Sequence, residues 1–159
     1  MNQVQKLDDQ IKMRGEIEII IQDAKTGKIK SVDHIKNLVV TRAKESIAAG
    51  LIQQSGRGYI TICALGTGIT APALGDSGLQ SEVGRKLVSA RSVSNNQALF
   101  ETFFTTAEAN GTLREAGLFG DSTADASIPG SGQLFCRAAI NRVKTVNDTL
   151  TLRWTVIIG

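Results

Sequence analysis

The stretch Thr149-Leu150-Thr151-Leu152-Arg153-Trp154-Thr155-Val156-Ile157-Ile158 decides the fold class. Leu150, Leu152, Trp154, Val156 and Ile158 fall on one face, with Thr149, Thr151, Arg153 and Thr155 opposite. Such period-two alternation, rich in β-branched residues, marks a strand with one buried side. Near the other end of the chain, Gly15-Glu16-Ile17-Glu18-Ile19-Ile20-Ile21-Gln22-Asp23 repeats the pattern, with Ile17, Ile19 and Ile21 facing one way and Glu16, Glu18 and Gln22 the other. Ala24-Lys25-Thr26-Gly27 then reads as a hairpin turn, and a return strand runs from Lys28 to about Val40.

Between these ends the pattern changes once. Residues Thr41 to Gln53 predict a helix capped by Thr41, with Ala43, Ile47, Ala48 and Leu51 on one face and Gly50 weakening its last turn. Strands are predicted at Tyr59 to Leu65, Arg85 to Val93, Gln97 to Thr105, Leu113 to Phe119 and Gln133 to Ile140. Ser94-Asn95-Asn96 reads as a hairpin-like turn and Ala109-Asn110-Gly111-Thr112 as another, on the hairpin signal of Asn-Gly, and Gly66–Gly78 and Gly120–Gly132 as long loops. About eight short strands, one helix and Gly-rich turns define a mainly β protein: an antiparallel β-sandwich or jelly-roll-like barrel over residues 15–159. Residues 1–14 read as an N-terminal arm. Its apolar positions, Val4, Leu7 and Ile11, suit one face of a short helix or an extended segment ordered against a neighbour, and they are the candidate protein-interface residues.

The chain has 159 residues, enough for one domain with its own core, and its apolar clusters are far too short for a membrane span. The first residues lack the apolar stretch of a secretory signal, so export by that route is not expected. Formal net charge is +3, carried as nine basic and seven acidic residues in 1–50 and nine and eight in 51–159. Charge spread this evenly, with only seven aromatic residues, argues against nucleic-acid binding. A single histidine, His34, and two distant cysteines, Cys63 and Cys136, supply neither paired zinc ligands nor a nucleophile–base couple. His34 is expected at a solvated strand or turn position, and both cysteines as small buried hydrophobes.

Two motifs have the residue types that chemistry would need. Gly66-Thr67-Gly68-Ile69-Thr70-Ala71 matches the dinucleotide fingerprint in form, but Pro72, Gly75 and Gly78 interrupt the helix that would face the pyrophosphate. It reads as a surface loop. Glu101, Glu108, Glu115, Asp121 and Asp125 are the carboxylates available for an acid/base pair, and Glu115, beside Arg114, is expected in a salt bridge or as a loop anchor. No catalytic residue, cofactor or metal is predicted.

The segments form a series: Ile60-Thr61-Ile62-Cys63-Ala64-Leu65-Gly66-Thr67-Gly68-Ile69-Thr70-Ala71-Pro72-Ala73, then Asp76, Leu79, Glu82 and Arg85, then Phe100, Phe104 and Glu108-Ala109-Asn110-Gly111-Thr112-Leu113-Arg114-Glu115-Ala116-Gly117-Leu118-Phe119, and finally Leu150 to Val156. The Gly15-Glu16-Ile17 strand, the Asp23–Lys28 turn and Lys36-Asn37-Leu38-Val39-Val40 belong to it too. Over residues 15–158 the chain resembles a family of small virion proteins of tailed bacteriophages, of tail-fibre or structural type. The resemblance implies a non-enzymatic structural protein of the virion, made in the host cytoplasm, with a homotrimer as the expected oligomer. A tail-fibre protein ordinarily adds a stalk, repeats or a receptor-binding tip. A compact β-domain with an arm instead fits a capsid decoration (cement) protein whose partner is the major capsid protein. The alternative is a tail-fibre, collar or baseplate protein touching the host surface or another tail protein.

Overall fold

The structure is a computed structural model describing residues 11–159. Its elements in chain order are β1 (Met13–Asp23), β2 (Ile29–Val39), α1 (Thr41–Leu51), β3 (Ile60–Gly66), β4 (Glu82–Leu87), β5 (Ala90–Ser94), β6 (Gln97–Phe104), β7 (Gly111–Gly120), β8 (Gln133–Lys144) and β9 (Asp148–Ile158). The strands form one antiparallel sheet in the order β4-β3-β7-β8-β2-β1-β9-β6-β5. It curls into two facing layers. Layer A is β2-β1-β9-β6-β5 and layer B is β8-β7-β3-β4.

Strands that change layers make both corners. Residues Gly15 to Gln22 of β1 pair with Ile29 to Asn37 of β2, whereas Leu38 and Val39 turn to pair with Arg137 and Cys136 of β8. On the far side β4 and β5 are one run of chain bent at Val88-Ser89: the Val88 N–H donates to Thr61 O in layer B, and the next N–H, Ser89, donates to Glu101 O in layer A. The predicted single strand Arg85–Val93 is therefore two, and the count is nine. Corners of this kind let a twisted sheet close over its own apolar face.

The alternating faces pack as read. Ile17, Ile19, Ile21, Leu150, Leu152, Trp154 and Val156 are all buried. Opposite them lie Cys63, Leu118 and Cys136, which share one cross-strand row of layer B. Layer B is buried on its outer face as well, because the long loops lie over it. Leu79 reaches over Gly117, where a Cβ would sit 3.1 Å from the Leu79 side chain.

Three local readings differ from the structure. Val40, not Thr41, is the N-cap, and its apolar side chain makes no capping bond. The buried residues of α1 are Ala43 and Ser46, while Ala48 and Leu51 face solvent. Gly50 is there because the chain at Gly58 passes close: a Cβ on Gly58, at φ +82°, would sit 3.0 Å from the Gly50 Cα. Asn110-Gly111 is no hairpin either. β6 pairs with β5 and β9, β7 with β3 and β8, so residues 105–110 cross from layer A to layer B.

Candidate functional site

Of the predicted interface residues, Val4 and Leu7 lie outside the described residues. Ile11 sits just before β1 and is 76% exposed. The strand begins at Met13, paired with Ile158, two residues inside the predicted arm. Met13 turns inward, into a 290 Å³ apolar cleft between α1 and the inner face of layer A, where Ile47, Tyr59, Phe100, Phe135 and Val156 join it.

Of the buried charges, Lys144 and Asp148 flank the β8–β9 turn, and Glu115, Arg137 and Asp121 lie with the long loops. Glu115 on β7 is 1% exposed and accepts five hydrogen bonds: from the N–H groups of Gly68 (3.0 Å), Gln80 (2.9 Å) and Ser81 (2.7 Å), and from Arg137 Nε (3.0 Å) and Nη2 (2.8 Å). Arg137 also donates to Asp76 Oδ2 (2.7 Å) and to the Thr70 carbonyl (3.1 Å). Burial pushes the Glu115 carboxyl pKa up, but the Gln80 and Ser81 amides, Arg137 and the Gly68 amide outweigh it and hold it below the usual range. Gly66 and Gly68 are required here because a Cβ on either would run into Glu115 at about 2.5 Å or less. The fingerprint-like loop is thus wrapped around a carboxylate of its own chain, not open to a pyrophosphate.

The second loop is pinned in the same manner. Arg85 pairs with Glu82, donates through Nη1 to the Asp125 and Ser131 carbonyls, and stacks 5.0 Å from the Phe119 ring centroid. Asp121 is buried at φ +63° and accepts from Ser46 Oγ (2.7 Å) and the Gly58 N–H (3.0 Å), with Arg57 Nε 2.8 Å away. Both loops are therefore fixed to the outer face of layer B, yet Ile69, Leu74 and Ile128 on them remain exposed.

On the outer face of layer A, cross-strand registers line up His34, Glu18, Arg153 and Glu101 over a 510 Å³ groove. Arg153 bridges Glu101 (2.8 Å) and Glu18 (3.1 Å), and exposed His34 lies 3.7 Å from Glu18. The candidate carboxylates have thus gone to separate partners: Glu101 to Arg153, Glu108 to Lys86, Glu115 to Arg137, Asp121 to Ser46 and Arg57, and Asp125 to the Ser127 hydroxyl and amide. Glu115 is the loop anchor expected, but its partner is Arg137 and not exposed Arg114. Cys63 and Cys136 are fully buried, and burial raises both thiols, Cys63 to about 12.

Among the described residues no three His, Cys, Asp or Glu side chains gather as a metal site, and no helix is long and apolar enough to cross a membrane. No family model, curated protein or solved structure matches the chain.

Proposed function

We propose that this chain is a non-enzymatic structural protein of a tailed-bacteriophage particle, a decoration (cement) protein that binds the assembled shell of the major capsid protein. Placement on a phage particle rests on the sequence series described above. A binding reading in preference to a chemical one rests on a single structural observation. Buried Glu115, Arg137 and Asp121, with the buried side chain of Arg85, each hold a loop or helix in place, and those loops present apolar side chains to solvent. A surface ordered before contact loses little conformational entropy on binding.

The mechanism is mass action. A protein that binds assembled shell and not free subunits stabilises the shell at every site it occupies. Apolar burial supplies ~25 cal/mol per Å², less the cost of association. The arm extends this reading: deleting residues 1–10 is expected to leave a folded domain that attaches poorly to particles, and unchanged occupancy would remove the arm from the mechanism. The deciding experiment is copy number per virion by quantitative mass spectrometry. A count comparable to the major capsid protein supports decoration. A handful of copies would sink it in favour of a tail-fibre, collar or baseplate protein, a reading favoured by exposed Ile69, Leu74 and Ile128 on the two pinned loops.

A further inference from the structure

The two edges of the sheet are treated differently. β4, at one edge, carries residues 125–131 over its outer face, through Arg85 to the Asp125 and Ser131 carbonyls and the Gly130 N–H to Glu82. β5, at the opposite edge, is exposed at all five positions, and its only strand partner among the described residues is β6. It has no proline and no lysine, and among the described residues no loop covers it, so the usual protections of an edge are missing there.

The hydrogen-bond phase of this edge follows from its neighbours. The Asn96 carbonyl accepts from Ile158 N–H on the β9 side, and Ser94 and Gln97 close a two-residue hairpin. Alternation then points the peptide groups of Ala90, Ser92 and Ser94 toward β6 and those of Arg91 and Val93 outward. We propose that β5 pairs with β5 of a second copy of this chain, antiparallel about a two-fold axis at Ser92. In that register Arg91 of each copy lies opposite Val93 of the other, and their outward N–H and C=O groups form four reciprocal hydrogen bonds.

The side chains fit the same axis. Arg91 is the only charged residue on β5, and no like charges stand directly opposite. Ala90, Ser92 and Ser94 are small and meet across the outer face. Arg91 and Val93 are on the inner face, beside Phe100 and Ala98, so Val93 of the second copy comes to the lip of the apolar cleft that Arg91, Ala98 and Phe100 line. Val93 is 78% exposed in the single chain. The seam is short against the roughly 1,200 Å² of a stable interface, so the dimer is a weak, concentration-dependent one. It is two-fold, unlike the trimer that the sequence resemblance implies, and does not depend on the phage reading.

Disulfide trapping of the full-length chain tests this. Ser92 faces its own copy across the axis in a non-hydrogen-bonded pair, where Cα atoms come within about 4.5 Å, inside disulfide range. The native cysteines are buried and do not compete. Ser92→Cys is expected to give a covalent dimer under mild oxidation at least tenfold faster than Ser94→Cys, a neighbour that is also exposed. Adding Val93→Pro, which removes an outward N–H and no internal ladder bond, should abolish the trap while circular dichroism stays unchanged. Equal trapping rates at the two positions, or a trap that survives Val93→Pro, would overturn the proposal.

Discussion

Removing the Glu115 carboxylate is the sharpest test of how the long loops are held. Glu115→Ala leaves Arg137, itself 2% exposed, with only Asp76 and Thr70, and takes the acceptor from the amides of Gly68, Gln80 and Ser81. Breaking a buried ion pair by removing one partner costs about 3–5 kcal/mol. For a chain of this size that lowers Tm by about 6–20 °C. The assay is urea unfolding at pH 7 of wild type, Glu115→Ala and the double variant Glu115→Met/Arg137→Met, with amide hydrogen exchange on residues 67–81. Because the double variant leaves no unpaired charge buried, it should recover part of the loss. Exchange should rise across 67–81 in Glu115→Ala while β1 and β9 stay protected. A loss below about 1 kcal/mol, or unchanged exchange in the loop, would refute the view that this pair anchors it.

Other outcomes follow from the same packing. Trp154→Ala empties the largest buried side chain between the layers and should cost about 3–5 kcal/mol in chemical denaturation. Gly58→Ala, at φ +82° and against the Gly50 Cα, should lose more than about 1 kcal/mol in thermal melts, whereas Gly75→Ala, with open space around it, should be near neutral. Lys86 and the Thr105 amide hold Glu108, and Lys30 and Thr145 hold Asp148, at about 2. Folded values below the unfolded ones mean that these groups stabilise the protein above about pH 4 and lose that contribution as pH falls toward 2. The urea midpoint should therefore drop between pH 4 and pH 2.5, and a flat profile would contradict the sign.

The strands of layer A were legible because each has one wet and one dry face, so Ile17-Glu18-Ile19 and Leu150 to Val156 announce both type and orientation. Layer B was harder. Its strands β3, β7 and β8 are covered on both faces and read as apolar runs without alternation, which locates a strand but not its sides. The bend at Val88-Ser89 has no glycine or proline to mark it. Asn110-Gly111 signals a turn correctly, yet a local dipeptide carries no information about which layer the next strand joins. The same limit hid the site. Glu115 was visible as a loop anchor, but Arg137 is 22 residues away and the three amides come from a loop on β3, so only the paired register brings them together. Val40 as N-cap was missed because Thr41 is the better capping residue by type and the chain does not use it.

β9 lies between β1 and β6 in the middle of layer A, although it is the last strand along the chain. Every contact that completes this layer joins residues far apart in sequence: Asp148 to Ile158 against Met13 to Asp23 on one side and Gln97 to Phe104 on the other. Such a topology folds slowly, since loop closure across most of the chain must precede its stabilising contacts. During synthesis the β1–β2 hairpin and the β5–β6 hairpin each wait with an open flank until residues 148–158 leave the ribosome. Layer A therefore closes only once residues 148–158 are available, and a nascent chain stalled before Asp148 presents two sticky edges to its neighbours.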